Sequence, residues 1–409
     1  MTAPLSPLAV AARGRGGGDV IFRMHGAAVR RRAEGADVVD STLGALLDDS
    51  GRLAVLPTVA EVVRSIPPEE VAGYSPLSGR PDLIEAVQED VLPTGALRDQ
   101  AVSVITPGGT GAIYQGVVNF LDPGQAALST DLTWGPYGSI AIQNGRRLER
   151  FPMFGEDGGF DLGALDVAVR SQAAAQGRVL LILNSPCQNP TGFALTREDW
   201  AGVADSLSAV SASTPVTLLL DLAYLRYAEG DPTWWDAVDR ILEHGTVLLA
   251  WTASKTYTQY GARIGALVAL HRNEETRGEI GQAMNFAARG TWSACNHPGQ
   301  RTVLRLLTEP DLASRVDAER EALRGLLHER WAAFEGAAAG SGLEVPTWSG
   351  GFFTSVRVPD ATRVADALME RDVFVVPLEG AVRVALCATR ADQMDRLVTA
   401  LREVGAGST

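Results

Sequence analysis

Thr246-Val247-Leu248-Leu249-Ala250-Trp251-Thr252-Ala253-Ser254-Lys255-Thr256 decides how this chain is read. The run through Trp251 is apolar and β-branched, the pattern of a strand buried on both faces. The hydroxyl residues and the lysine fall on the turn that follows it. Lys255 is the only lysine in 409 residues; every other member of the 36 lysines and arginines is an arginine. Arginine serves most surface roles of lysine, but a guanidinium does not deprotonate and cannot form an imine. Either the retained amine has a chemical task, or a G+C-rich genome drained lysine at random and left one. The surrounding sequence separates these readings.

Outward from this stretch, apolar runs at 126–130, 178–183, 216–220 and 262–270 repeat the strand pattern. Helix-like segments lie between several of the runs, at 197–210 and 234–243, with others at 81–92 and 111–121 before them. Buried strands alternating with helices predict an α/β fold built on a mostly parallel sheet covered on both faces. Functional groups in such folds sit on the loops after the strands, and Asn189, Asp221 and Lys255 all fall there. Residues 1–18 read as a flexible arm ending in Gly14-Arg15-Gly16-Gly17-Gly18, and Asp19 as the cap of a helix to about Glu34. After residue 309 a long amphipathic helix (311–339) precedes short strands at 352–358, 373–376 and 383–387 and a last helix at 390–404. The expected division is an N-terminal arm and helix over 1–45, a large domain over 46–308 and a smaller α+β domain over 309–409.

Composition narrows the function. The chain is 46 % hydrophobic and 21 % charged, which is the balance of a globular protein with a large core. A net charge of −13 argues against nucleic acid as a partner. No apolar run is long enough to span a membrane, and no signal-like core follows the first charges, so the cytoplasm is the expected compartment. Cys187, Cys295 and Cys387 are too scattered for a disulfide framework or a zinc site, and the histidines lack metal-ligand spacing, so no metal is expected.

Four further segments bear on Lys255. Thr106-Pro107-Gly108-Gly109-Thr110-Gly111 is a glycine-rich turn opening a helix; it is either a structural turn or an anion cradle of backbone N–H groups. Asn189-Pro190-Thr191-Gly192 follows one strand and Asp221-Leu222-Ala223-Tyr224 the next. The first is plain punctuation or part of a site; the second caps a helix or offers a carboxylate to a heterocyclic nitrogen. Trp134 either packs in the core or stacks on a flat ring.

In this order and spacing the five segments resemble the class I/II aminotransferases, the fold-type I pyridoxal 5′-phosphate enzymes, and among them the aspartate and aromatic aminotransferases. The resemblance covers nearly the whole chain. It implies a large domain holding a mostly parallel seven-stranded sheet, a smaller α+β domain, and pyridoxal 5′-phosphate as cofactor. Lys255 matches the lysine that attaches the cofactor, Asp221 the partner of its ring nitrogen, and Tyr224 and Asn189 the partners of its phenolic oxygen. Trp134 matches the stacking aromatic, and Gly109, Thr110, Thr252, Ser254 and Arg263 the phosphate cup. Tyr74 matches a tyrosine reaching the phosphate of a partner subunit, which implies a homodimer with shared active sites. On the substrate side, Gly44 and Phe352 match lining positions and Arg383 the clamp for the α-carboxylate. Arg289 matches a second arginine that reaches the neighbouring subunit's pocket.

The implied function is amino-group transfer between an L-amino acid and a 2-oxo acid. Three departures bear on the substrate. Tyr137 stands where aspartate-specific relatives carry a histidine, Ala294 and its neighbours depart from the usual pattern after Arg289, and the segment 377–382 before Arg383 is unusual in length and acidity. They motivate an alternative in which the same cofactor serves elimination, replacement or carbon–carbon bond formation, for example annulation on S-adenosylmethionine.

Overall fold

The computed structural model describes residues 7–9, 12–13, 19–230 and 232–406. The glycine run at 14–18 lies outside them. Twelve strands are present among the described residues: β1 (Val39–Asp40), β2 (Ala101–Thr106), β3 (Ala126–Thr130), β4 (Arg147–Phe151), β5 (Val179–Asn184), β6 (Val216–Asp221), β7 (Thr246–Thr252), β8 (Gly265–Leu270), β9 (Phe353–Arg357), β10 (Val373–Phe374), β11 (Val376–Leu378) and β12 (Ala381–Ala385).

Seven of them form one sheet in the order β2-β8-β7-β6-β5-β3-β4. Only β8 runs against its neighbours; β7, β6, β5, β3 and β4 pair in parallel. The central strands are buried along their whole length, because helices cover both faces. One apolar cluster is built around Leu181, Leu218 and Leu249, the other around Ile182, Leu219 and Leu248. Alternate residues of each strand thus go to opposite faces. The sequence pattern missed β2 and β4. β4 is an edge strand with Arg147 and Arg150 turned outward, so it lacks the apolar run that marks its neighbours.

A second sheet has the order β11-β12-β9 and is antiparallel. The expected strand at 373–376 divides in two: β10 pairs with β1, and β11 with β12. The helix Val20–Ala33 packs beside β10, and Asp19 caps it by accepting from the Ile21 N–H at 2.8 Å. The helix Pro310–Ala338 joins the two halves of the core. Its first turns bury Leu312 and Val316 in the apolar cluster of the large sheet, beside the helices Pro57–Arg64 and His297–Thr308, and its later turns bury Leu327 and Phe334 in that of the smaller sheet. Twenty-nine residues give it a length of about 43 Å.

The turn ending at Gly192 shows how closely the two halves meet. Gly192 has φ +75°, and a Cβ there would lie 2.2 Å from Trp348 Cδ1 and 2.5 Å from the Phe353 carbonyl oxygen. Its own carbonyl accepts from the Ser349 N–H at 2.8 Å. Gly192→Ala is expected to destabilise the fold by about 2–4 kcal/mol, from the left-handed backbone and the overpacking together. Urea unfolding of the two proteins measures it.

Candidate active site

β5, β6 and β7 are adjacent and parallel, so their C-terminal ends stand side by side, roughly 5 Å apart. Those ends carry Asn184, Asp221 and Thr252. A one-turn helix, Ala253–Thr256, follows β7 and brings Lys255 back over the ends. The cavity there measures about 210 Å³. It collects Lys255, Asp221, Tyr224, Asn189 and Trp134. Gly109, Thr110, Thr252, Ser254 and Arg263 also line it, and so do Gly44 and Arg383.

Lys255 Nζ donates to the Gly44 carbonyl and lies 4.6 Å from the centre of the Tyr260 ring. Burial lowers its pKa to about 8, and the positive Arg383 and Arg263 add to the effect. At pH 7 about a tenth of the amine, the nucleophilic form, is then neutral, against roughly one in 2,500 for an unperturbed lysine. Amine-selective acylation mapped to Lys255 in the cofactor-free chain is expected to quicken about tenfold per pH unit below 8 and to level off above it. An unperturbed lysine would keep accelerating towards about pH 10.4.

At the floor, burial raises the pKa of the Asp221 carboxyl to about 6, against the opposing hydrogen bond from Tyr137. Its Oδ1 accepts from the Ala223 N–H at 3.1 Å and its Oδ2 from the Tyr137 hydroxyl at 2.6 Å. Trp134 stands in the wall, with the Tyr137 ring against it edge to face at 5.4 Å.

One end of the cavity is shaped for an anion. The helix Gly108–Phe120 begins there with no capping side chain, which leaves its first N–H groups for a ligand. Gly108 has φ +72°, and a Cβ there would stand 2.6 Å from Arg263 Nη2. Arg263 donates to the Tyr260 and Pro107 carbonyls at 3.1 and 3.2 Å and to Ser254 Oγ at 3.4 Å. Those bonds hold a positive group beside free N–H donors.

Arg383 marks another side. It projects from β12, is 4 % exposed, and lies with its guanidinium 4.2 Å from the Phe353 ring centre. It donates to the Thr42 carbonyl at 2.7 Å and to Asn189 Oδ1 at 3.2 Å. The Asn189 N–H in turn donates to Asn184 Oδ1, and Asn184 Nδ2 donates to the Asp221 carbonyl. A chain of hydrogen bonds therefore joins the arginine to the backbone of Asp221 at the end of β6.

Three expected residues lie elsewhere. Phe352 is fully buried behind the cavity, against Tyr224 and Tyr227, with its ring centre 5.4 Å from Lys255 Nζ. Its neighbour Phe353 lines the cavity in its place. Consecutive strand residues face opposite ways, and the aromatic core under Lys255 takes Phe352. Tyr74 is 96 % exposed, and Arg289 is exposed and donates to Ser293 Oγ at 2.7 Å; neither lines the cavity. Sequence reasoning missed Ile21, Ile113, Asn184 and Tyr260, which do. Tyr260 had a signal, since it lies between Lys255 and Arg263 on one loop; Ile21 had none.

A cavity of about 630 Å³ opens beyond the Ser185-Pro186 turn, lined in part by Trp234, Trp235 and Trp348. Its Asp90 and Arg226 pair with each other, and it holds no amine. Size alone does not locate the chemistry.

The family described as aminotransferase class I and II matches residues 36–401. The chain is 31 % identical to the aromatic-amino-acid aminotransferase of Paracoccus denitrificans, over 71 % of this chain and 74 % of that protein. Among solved structures, an aminotransferase from Anaerococcus prevotii superposes with a TM-score of 0.91 at 28 % identity, covering 98 % of this chain and 100 % of that one. The aromatic-amino-acid aminotransferase of Burkholderia pseudomallei, covalently bound to pyridoxal phosphate, shares the fold with a TM-score of 0.80 at 20 % identity; the match covers 97 % of this chain and 100 % of that one.

Proposed function

We infer the reaction from one premise: this chain belongs to the class I and II aminotransferase family. It is an amino-acid aminotransferase that uses pyridoxal 5′-phosphate. The observation that carries the reading is the sole lysine, set in a cavity between a buried carboxylate, an indole wall and an anion cup. A flat cationic heterocycle bearing an aldehyde and a phosphate fits that donor set. The alternative of elimination or annulation is not favoured, because the relatives are aminotransferases.

When bound, the cofactor supplies an electrophilic carbon for the substrate amine and a ring that accepts the electron pair freed at Cα. The residues divide the remaining work. The N–H groups of Gly109 and Thr110, the hydroxyls of Thr252 and Ser254, and Arg263 would hold the phosphate. Asp221 would keep a proton on the ring nitrogen, and Trp134 would cover one ring face. Tyr224 and Asn189 would bind the phenolic oxygen. Lys255 would attach the cofactor and, once displaced, carry a proton to and from the substrate Cα. The Arg383 fork would bind the α-carboxylate and orient the Cα–H bond.

The exposed Tyr74 and Arg289 support a homodimer in which each copy completes the other's site. Phe286, on the same helix as Arg289, is 84 % exposed and supports the same face. Ile21 and Phe353 near Arg383 support a substrate that joins a carboxylate to an aromatic or apolar side chain. Arg289 of a second copy would suit an acidic 2-oxo acid as amino acceptor. We assign residues 46–308 to the cofactor-holding domain and 309–409 to the smaller one. A cytoplasmic location accords with three buried free cysteines. Among the described residues no helix is long and apolar enough to cross a membrane.

The test is product stoichiometry. Holoenzyme with L-phenylalanine and 2-oxoglutarate is expected to form phenylpyruvate and glutamate one for one. Ammonia release, or a keto acid formed without glutamate, rejects transamination.

A further inference from the structure

We propose that Tyr137 is a positioning residue of this aminotransferase: its hydroxyl holds the Asp221 carboxylate ionised and aimed at the cofactor ring, and its ring braces Trp134. The inference rests on the cofactor reading above and goes beyond it, since Tyr137 does not itself line the cavity.

The geometry is specific. Tyr137 lies in the first turn of the helix Pro136–Gln143, is fully buried, and packs into the apolar cluster on one face of the large sheet. From there its hydroxyl reaches Asp221 Oδ2 at 2.6 Å, the length of a bond to a charged acceptor. The opposite carboxylate oxygen is taken by the Ala223 N–H, so Asp221 is held from two directions. The same phenol ring meets Trp134 edge to face at 5.4 Å. One side chain thus contacts both groups assigned to the cofactor ring, at its nitrogen and at its face.

The choice of tyrosine matters. A histidine at this place gains and loses charge within the working pH range. Burial and the neighbouring carboxylate push the Tyr137 phenol well above its usual value, so it stays a neutral donor throughout. The titratable groups that face Asp221 are Tyr137 from the helix Pro136–Gln143, Lys255 from Ala253–Thr256 and Tyr224 from the loop after β6. Tyr137 and the positive Lys255 favour the carboxylate, against the burial that disfavours it. Of these side chains Tyr137 is the one that donates a hydrogen bond to the carboxylate itself.

The experiment is the dissociation constant of pyridoxal 5′-phosphate from the full-length holoenzyme, by equilibrium dialysis from pH 6 to 9. Lys255 protonates below about pH 8 in both proteins, so the quantity read is the dissociation constant of the variant relative to that of the wild type at each pH, which isolates the Asp221 carboxyl with its pKa of about 6. In Tyr137→Phe the Asp221 pKa is expected about one unit higher, which makes the variant about threefold weaker than wild type at pH 6.5 and about fivefold weaker at pH 6, but nearly equal at pH 9. A merely structural role would weaken binding by one factor at every pH, and that result overturns the proposal. So does a variant that follows the wild type throughout. In an Asp221→Asn background the phenylalanine change is expected to add less than about twofold, because the carboxylate it acts through is gone; an undiminished effect there overturns it too. Tyr137→His returns an N–H donor and is expected to recover binding at pH 6.5; no recovery in a variant with the wild-type Tm overturns the assignment. Wild-type protein that takes up no pyridoxal phosphate at any pH would instead overturn the cofactor reading itself.

Discussion

Lys255→Ala is expected to lower kcat by about 10⁴-fold or more and to leave the purified protein colourless. On the proposed assignment two functions go at once: the covalent hold on the cofactor, and the base that serves the substrate Cα. Positioned proton transfer alone is worth about 10²–10⁴-fold. No second lysine exists to substitute, so a neighbouring amine cannot mask the loss. Lys255→Arg is expected to be as inactive, because a guanidinium keeps the charge and lacks the nucleophile. Stability should change little, since the Lys255 amine makes one hydrogen bond among the described residues, to the Gly44 carbonyl. Steady-state rates and thermal melts of the three proteins are the check. An alanine variant that turned over at even a tenth of the wild-type rate would end the case for this amine.

Arg383→Ala is expected to cost about 10²–10³-fold in kcat/KM for amino-acid substrates, the usual penalty for removing one side of a buried charge pair. The loss should fall on both substrates, since an amino acid and a 2-oxo acid share the α-carboxylate. Arg383→Lys is expected to recover little of it, because an ammonium cannot form two parallel bonds to a carboxylate. Cofactor binding should be nearly unchanged, which separates this variant from changes in the phosphate cup. Equal kcat/KM values for Arg383→Ala and wild type would remove Arg383 from the site.

The central strands were legible because they are buried on both faces and therefore apolar throughout. The edge strand β4 was not, because Arg147, Glu149 and Arg150 face outward or lie only partly covered and break the run. The same logic holds at the cavity. Lys255, Asp221, Asn189 and Arg263 follow strand ends or turns that local pattern marks, and the cavity collects them. Ile21 comes from a helix more than two hundred residues away in the chain, and nothing in its own segment distinguishes it. Phe352 and Phe353 could not be told apart, since alternation says that neighbours face opposite ways but not which way either faces. Tyr137 was visible as a departure near the stacking tryptophan, yet its hydroxyl turns from the cavity to Asp221.

By itself the sequence determined that this is an α/β chain with one amine available for imine chemistry, since burial periodicity and the lack of any second lysine are local facts. The tertiary structure decided how acidic that amine is, which phenylalanine lines the cavity and what holds Asp221 in place. Those depend on desolvation and on distances between segments remote in the chain, and both arise only when the sheet and its covering helices close around the site.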